Sequence, residues 1–311
     1  MNFFDLHCDT IGECANRNLP LRANTLHISL EKGAYLNSWI QVFAIWMPDE
    51  KRGRDAADYF DRVYDYYLKE LSKNEDIILP CFTSDDILKA ENENKAASIL
   101  AVEGGSVLCG DIDRISLLKD RGVKILTLTW NDANELGSGC MEKDDKGLTS
   151  FGKSAVKELC SAGIVPDVSH LSEKGFYDTA QEVDFPFIAS HSDCNRVHRH
   201  KRNLTDEQID EIIRRKGLIG VNFYKNFLSD NTESGFDGVL RHLYHILERG
   251  GEYVAAMGSD FDGCEIAKEL AGIEKISDLW DYLNKNGIPE DTLNSCFYGN
   301  ARNFFFNVLH R

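Results

Sequence analysis

The chain has 311 residues, enough for one large α/β domain or two small ones. Acidic residues outnumber basic ones, 51 to 35, and the formal net charge of −16 argues against nucleic acid and anionic membrane surfaces as principal partners. The nine cysteines are odd in number, scattered and without a Cys-x-x-Cys pair, so they read as reduced thiols of a cytoplasmic protein, not as a disulfide framework.

No apolar stretch approaches the roughly 18 residues of a membrane span. The N-terminus shows neither a basic segment nor a signal-length apolar run, so no removable leader is expected. The first apolar run, Phe3–Leu6, leads into His7-Cys8-Asp9. Side chains alternate along a strand, so His7 and Asp9 project together and Cys8 points to the opposite, core face. An imidazole beside a carboxylate suits a borderline divalent cation such as zinc, although the pair alone also fits an ordinary strand end.

Trp39–Trp46 is the second run, and Ala56–Ser72 follows as an amphipathic helix with Tyr59, Val63, Tyr66, Tyr67 and Leu71 near helical spacing. Ala97–Val102 closes on Glu103-Gly104-Gly105, Val123–Thr129 on Trp130, Ile164–Val168 near His170, and Phe185–Ser190 on His191. A basic stretch, Arg196–Arg202, comes next. Thr205-Asp-Glu-Gln208 is a capping-box pattern that opens a helix to Lys216, with Ile209, Ile212 and Ile213 on one face. Leu218–Phe223, a helix over Phe236–Arg249, and the run Tyr253–Gly258 before Asp260 and Asp262 complete the alternation. Helices over Ile276–Asn284 and Tyr298–Leu309 follow. Gly122, Gly163, Gly217 and Gly250 stand where helices end, positions that favour a left-handed residue.

Eight short, nearly continuous, Val- and Ile-rich runs separated by helices predict a (β/α)8 TIM barrel, a single domain over residues 1–311 with additional C-terminal helices. An open doubly wound sheet is the runner-up, but its Gly-rich phosphate loop is missing after the first strand. In a barrel the site lies at the C-terminal strand ends, and those ends carry His7, Asp9, Glu103, His170, His191 and Asp260. Singly, Glu103 could be a turn residue and each histidine a satisfied core residue. Together, five ligands with two carboxylates suit two ions roughly 3.5–4 Å apart, clamping a bridging hydroxide. Asp260 is the candidate general acid/base; Asp262, one step further from the strand, is set aside. The basic stretch offers an anion subsite, because a guanidinium matches a carboxylate bidentately. His27, His242, His245 and His310 receive no role.

The ordered set Asp5-Leu-His7-Cys-Asp9, Glu103-Gly-Gly, Leu126-Thr-Leu-Thr129, Asp167-Val-Ser-His170, Ser190-His191-Ser192, Arg202-Asn203-Leu204, Gly220-Val-Asn-Phe-Tyr224, Gly258-Ser-Asp260-Phe-Asp-Gly263 and Gly299-Asn-Ala-Arg runs nearly the whole chain. It resembles the membrane (renal) dipeptidase family of zinc peptidases, in its soluble microbial branch. The resemblance implies two Zn2+ per chain, with His7 and Asp9 on one ion, Glu103 bridging, and His170 and His191 on the other. It implies Asp260 as the proton-transferring residue, Arg202 on the substrate carboxylate, and Tyr224 in a substrate-binding segment. Substrates would be dipeptides, often with a C-terminal D-residue, and the protein a homodimer. The secretion signal and lipid-anchor tail of vertebrate members are not expected here.

One position departs from the pattern. Trp130 stands where vertebrate members have a histidine that stabilises the tetrahedral intermediate, so that task falls to the metal ions or to Asn131. Barrel hydrolases of cyclic amides, lactones or phosphotriesters are rivals, but they usually open with His-x-His and often bridge through a modified lysine. A non-catalytic metal- or peptide-binding barrel has only Trp130 in its favour.

Overall fold

The computed structural model describes residues 1–230 and 235–309. Its strands are β1 (Asn2–Cys8), β2 (Ser38–Trp46), β3 (Ile78–Pro80), β4 (Ala96–Glu103), β5 (Val123–Thr127), β6 (Val165–Asp167), β7 (Ile188–Ala189), β8 (Leu218–Val221) and β9 (Ala255–Met257). Parallel pairings join β1 to β2, β2 to β4, and then β4 through β9 in turn, and β9 closes on β1. Eight strands therefore form a closed parallel barrel. The ninth, β3, pairs only with the start of β4, below β5. It went unseen in the sequence because three residues ending in Pro80 give no periodic signal.

The first nine helices in chain order are α1 (Thr10–Arg17), α2 (Gly53–Lys73), α3 (Ser84–Glu93), α4 (Arg114–Asp120), α5 (Ser150–Ala162), α6 (Glu173–Glu182), α7 (Asp206–Arg215), α8 (Lys225–Leu228) and α9 (Gly235–Glu248). After β9 come α10 (Ile276–Lys285), α11 (Glu290–Asn294), a π-helical turn (Ser295–Gly299) and α12 (Asn300–Leu309). The expected capping box is present: the Thr205 hydroxyl accepts from the Gln208 N–H while the Gln208 side chain accepts from the Thr205 N–H. Gly122, Gly163 and Gly250 take left-handed backbone as expected. At the end of α7 Lys216 takes it instead, and Gly217 is needed for a different reason: a Cβ there would lie 2.1 Å from the Phe187 carbonyl oxygen.

Two apolar layers divide the core. One contains Phe4, Leu6, Ile40, Val42, Ala44, Ala97, Ile99, Ala101, Ile125, Val165, Ile188, Leu218 and Ala256, with members from every ring strand, and so fills the barrel interior. The alternate strand residues, such as Phe3, Phe43, Leu100 and Leu126, pack outward against the helices. Phe304, Phe305, Val308 and Leu309 of α12 join the interior layer, and the Phe305 ring stacks 5.4 Å from Phe4, so the last helix plugs the barrel bottom.

Glu91 of α3 ties that plug down. It accepts from Arg302 Nε at 2.5 Å and Nη2 at 2.8 Å, and from the Tyr298 hydroxyl at 2.6 Å. The Arg302 hydrogen bonds, against some desolvation, hold the Glu91 carboxyl below its ordinary range. A depressed carboxyl stabilises the fold above the ordinary value of 4.5 and loses that effect as pH falls through the lower folded value. Glu91→Gln should therefore cost about 1 kcal/mol at pH 7, after allowing for partial exposure. The melting temperature should drop by roughly 2 °C, a difference that shrinks towards pH 3. Thermal melts at the two pH values check this.

Candidate active site

The strand that begins the site is not regular. Phe4 and Leu6 face the barrel interior and Phe3 faces the helices, so strict alternation would send His7 outward. The register with β2 changes from Asp5↔Gln41 to Cys8↔Phe43, which places one extra residue on β1 between Asp5 and Cys8. This bulge turns His7 inward and leaves Cys8 outward, in the core beside Phe3 and Ile11. Asp9 then follows on the His7 side, at the mouth of the barrel.

The other side chains arrive from neighbouring strand ends. Glu103 is the last residue of β4; His170, His191 and Asp260 lie two or three residues beyond β6, β7 and β9. His170 and Asp260 have left-handed backbones, with φ of 68° and 59°, and Asp262 has φ of 67°. Such strain in non-glycine residues clusters where surrounding contacts over-determine the backbone. Those contacts are visible: Asp262 accepts from the Thr10 hydroxyl at 2.6 Å and from the His27 N–H at 2.7 Å, which binds the β9 loop to α1 and to the 20–30 loop.

Glu103 is the centre of the group. Its Oε2 lies 3.5 Å from His7 Nε2, and its Oε1 lies 2.9 Å from His170 Nε2 and 3.5 Å from His191 Nε2. His7 Nε2 is also 3.5 Å from Asp9 Oδ2 and 3.9 Å from Asp260 Oδ1. Three sets of donors have atoms within 4.8 Å of one another: His7 with Asp9 and Glu103, Glu103 with His170 and His191, and His7 with His191 and Asp260. Every residue expected to bind or act at a metal is thus in one cluster, and Glu103 belongs to two sets.

The electrostatics of the cluster call for positive charge. Burial works to raise Glu103, yet the neighbouring imidazoles, His7 foremost, hold it well below the usual carboxylate range. Burial pushes Asp9 up to about 7, with His7 pulling the other way. Burial, reinforced by the Arg202 charge, drives His170 down to about 3, so its ring is neutral, as a metal ligand must be. His7 Nε2 and Asp9 Oδ1 are buried without a hydrogen-bond partner. A Cβ on Gly263 would fall 2.0 Å from Asp9 Oδ2 and 2.7 Å from Asp260 Oδ1, so the glycine keeps open the space these oxygens face. Orphaned donors, excess carboxylate and a kept-open cradle fit divalent cations.

A cavity of about 550 Å³ opens above the cluster, lined by Asp9, Glu103, His170 and Asp260 and walled by Trp46, Trp130, Tyr224 and Phe227. Trp130 meets Trp46 edge to face at 4.9 Å and lies 6.2 Å from the His170 ring. Asn131 lines the same cavity, and its Oδ1 lies 3.0 Å from His170 Nδ1; accepting the ring N–H there directs the Nε2 lone pair at Glu103. Arg202 is placed differently from the others. It is 5% exposed, stacks its guanidinium 5.3 Å over Phe227, and donates to the His191 carbonyl at 3.2 Å. It lines an adjoining hollow of about 240 Å³ that meets the main cavity at His170, and its Nε is buried without a partner. No residue of the basic stretch lines the main cavity, and His200 and Lys201 share the adjoining hollow with Arg202.

Four polar residues that sequence reasoning left without a role support the cluster. Asn222 donates to Asp260 Oδ2 at 3.0 Å and to the His191 carbonyl at 3.3 Å. Asp5 accepts from the Ser259 N–H at 2.8 Å, the Ser259 hydroxyl at 2.6 Å and the Gln41 amide at 2.9 Å. Asp167 and Ser190 form a similar pair behind His191. All four fall inside the motifs quoted above, but a motif does not say which member is a ligand and which a support.

The family model for membrane dipeptidases, peptidase family M19, matches residues 1–308. The fold superposes on a solved M19 metallopeptidase, dipeptidase AC, with a TM-score of 0.93 and 26% identity over 100% of this chain and 99% of that one. A Rhodobacter sphaeroides metallopeptidase, solved with a phosphinate mimic of L-Ala-D-Ala, gives 0.92 and 25% identity over 100% and 99%. An uncharacterised Klebsiella pneumoniae protein from the pqqA 5′ region is 29% identical over 238 residues, 73% of this chain and 88% of its own length. The chain therefore belongs to the membrane dipeptidase family, and is a metal-dependent dipeptidase.

Proposed function

We propose that the chain hydrolyses dipeptides with two zinc ions. His7 and Asp9 would hold one ion, His170 and His191 the other, and Glu103 would bridge them. The observation that carries this is the Glu103 carboxylate, whose two oxygens face two different donor sets. Ions held there would supply Lewis-acid polarisation of the scissile carbonyl and a bound water of near-neutral pKa.

The chain's own groups have separable tasks. Asp260 takes the proton and returns it to the leaving amine; the Asn222 amide on Oδ2 leaves Oδ1 towards His7. Arg202 holds the substrate's C-terminal carboxylate, a role supported by its buried, unpartnered Nε. Trp130, Asn131 and Tyr224 wall the cavity and exclude water around the reacting bond. The phosphinate mimic of L-Ala-D-Ala bound by the Rhodobacter relative supports acceptance of a D-residue at the C-terminal position. The nine unpaired thiols support a cytoplasmic location. The family resemblance supports a homodimer, which sedimentation would test.

Three outcomes are expected. Asp260→Asn should keep its metal and lose about 10²–10⁴ in kcat; near-normal turnover with full metal content would remove Asp260 from proton transfer. Elemental analysis should find two zinc ions per chain, with Glu103→Ala losing both or retaining at most one; a wild-type content near one would undo the bridge. Arg202→Ala should raise KM for a dipeptide about 10²-fold and leave KM for the matching dipeptide amide nearly unchanged, as expected for loss of a charge-assisted contact. Equal effects on both substrates would place the carboxylate elsewhere. A panel of L,L and L,D dipeptides, with and without chelator, tests the reading as a whole.

A further inference from the structure

Ser190 sits at the end of β7, 1% exposed, between two groups that the proposed chemistry does not use together. Its hydroxyl oxygen is 2.6 Å from Asp167 Oδ2 and 2.7 Å from His191 Nδ1. Asp167 is fully buried, and as a carboxylate it can only accept. The Ser190 proton therefore goes to Asp167, and the Ser190 oxygen must accept from His191. This makes His191 the Nδ1–H tautomer and leaves Nε2 as a bare lone pair, aimed at Glu103 Oε1 and His170 Nε2.

Asp167 is itself immobilised. Oδ1 accepts the Ser169 N–H at 3.0 Å and the Ser190 N–H at 2.9 Å, and Oδ2 also accepts the Thr127 hydroxyl at 2.5 Å. Four donors from three strand ends use all its acceptor positions, so it has no alternative orientation to offer Ser190. His170 lacks such a chain, since its Nδ1 faces only the neutral amide oxygen of Asn131.

We propose that Asp167, acting through the Ser190 hydroxyl, is a positioning residue that fixes the His191 tautomer and thereby sets the cation affinity of the position formed by Glu103, His170 and His191. This rests on the two-ion reading above. Groups that orient a metal-binding imidazole typically contribute 10–100-fold in metal affinity.

The test uses full-length, zinc-loaded protein and the variants Ser190→Ala and Asp167→Asn. Ser259→Ala is the control: it deletes the matching hydroxyl, 2.6 Å from Asp5 on the other half of the site, without touching an imidazole ring. Stepwise zinc affinity is read by competition with a chromophoric chelator, and ring protonation by NMR of ¹⁵N-labelled histidine. In Ser190→Ala one of two zinc equivalents should weaken about 10–100-fold, the other should not, and the hydrogen-bonded Nδ1–H signal of His191 should be lost. Ser259→Ala should keep that signal. If Asp167→Asn does not fold, Ser190→Ala decides alone. Two wild-type affinities in Ser190→Ala, with two ions bound to the wild type, would overturn this proposal and leave the two-ion reading standing. Equal weakening in Ser259→Ala would also overturn it. A wild type that binds fewer than two ions would remove the two-ion reading and this proposal together.

Discussion

Burial of the Glu103 carboxylate is the constraint on which the rest of the structure depends. A carboxylate 3% exposed costs several kcal/mol in lost solvation unless charge or strong donors surround it. Here the surroundings are three imidazoles delivered by three other strand ends. None can be held by local sequence, because each comes from a different βα unit. The barrel supplies the rigidity: its interior is filled with aliphatic and aromatic side chains up to the level of Leu6 and Ala101, and the polar cluster begins directly above. At the lower end, Phe304, Phe305, Val308 and Leu309 of α12 continue the same apolar layer.

A second consequence is the arrangement of supports. The two halves of the site are built alike. Asp5 holds Ser259, the residue before Asp260; Asp167 holds Ser190, the residue before His191. In each case a buried carboxylate grips both the N–H and the hydroxyl of a serine, so the following functional residue leaves the strand in one direction only. This explains how Asp260 can keep a left-handed backbone: the strain is countered by hydrogen bonds to the serine before it, already locked in place.

Much of this was legible in the sequence. Parallel barrel strands buried on both faces leave short apolar runs, and a polar residue that closes such a run faces the mouth, so His7, Glu103, His170, His191 and Asp260 could be read as one group. What periodicity could not carry was anything set by register between strands. The β1 bulge that turns His7 inward depends on pairing with β2 and leaves no mark in the residues themselves. The pairing of β3 is similarly silent. Gly217 reads as a helix end but serves close backbone contact with Phe187, and Arg202 lines the hollow beside the main cavity, with its guanidinium over Phe227. Both depend on distances between elements far apart in the chain.

The closure of β9 on β1 has a bearing on how the protein comes into being. His7 and Asp9 emerge first during synthesis, and Asp260 only after nearly the whole barrel is made. The two ends meet through the strand bridges Asp5↔Met257 and Cys8↔Phe261, through backbone hydrogen bonds from Asp260 to His7 and from Asp9 to Phe261, and through Ser259 on Asp5. Contacts of such sequence separation form late in folding. The set His7, His191 and Asp260 has its donors together only in the closed ring, so a cation drawn to it would stabilise the closed barrel over any open form. Supply of the ion during folding would then govern the yield of closed barrels as well as the activity of finished ones.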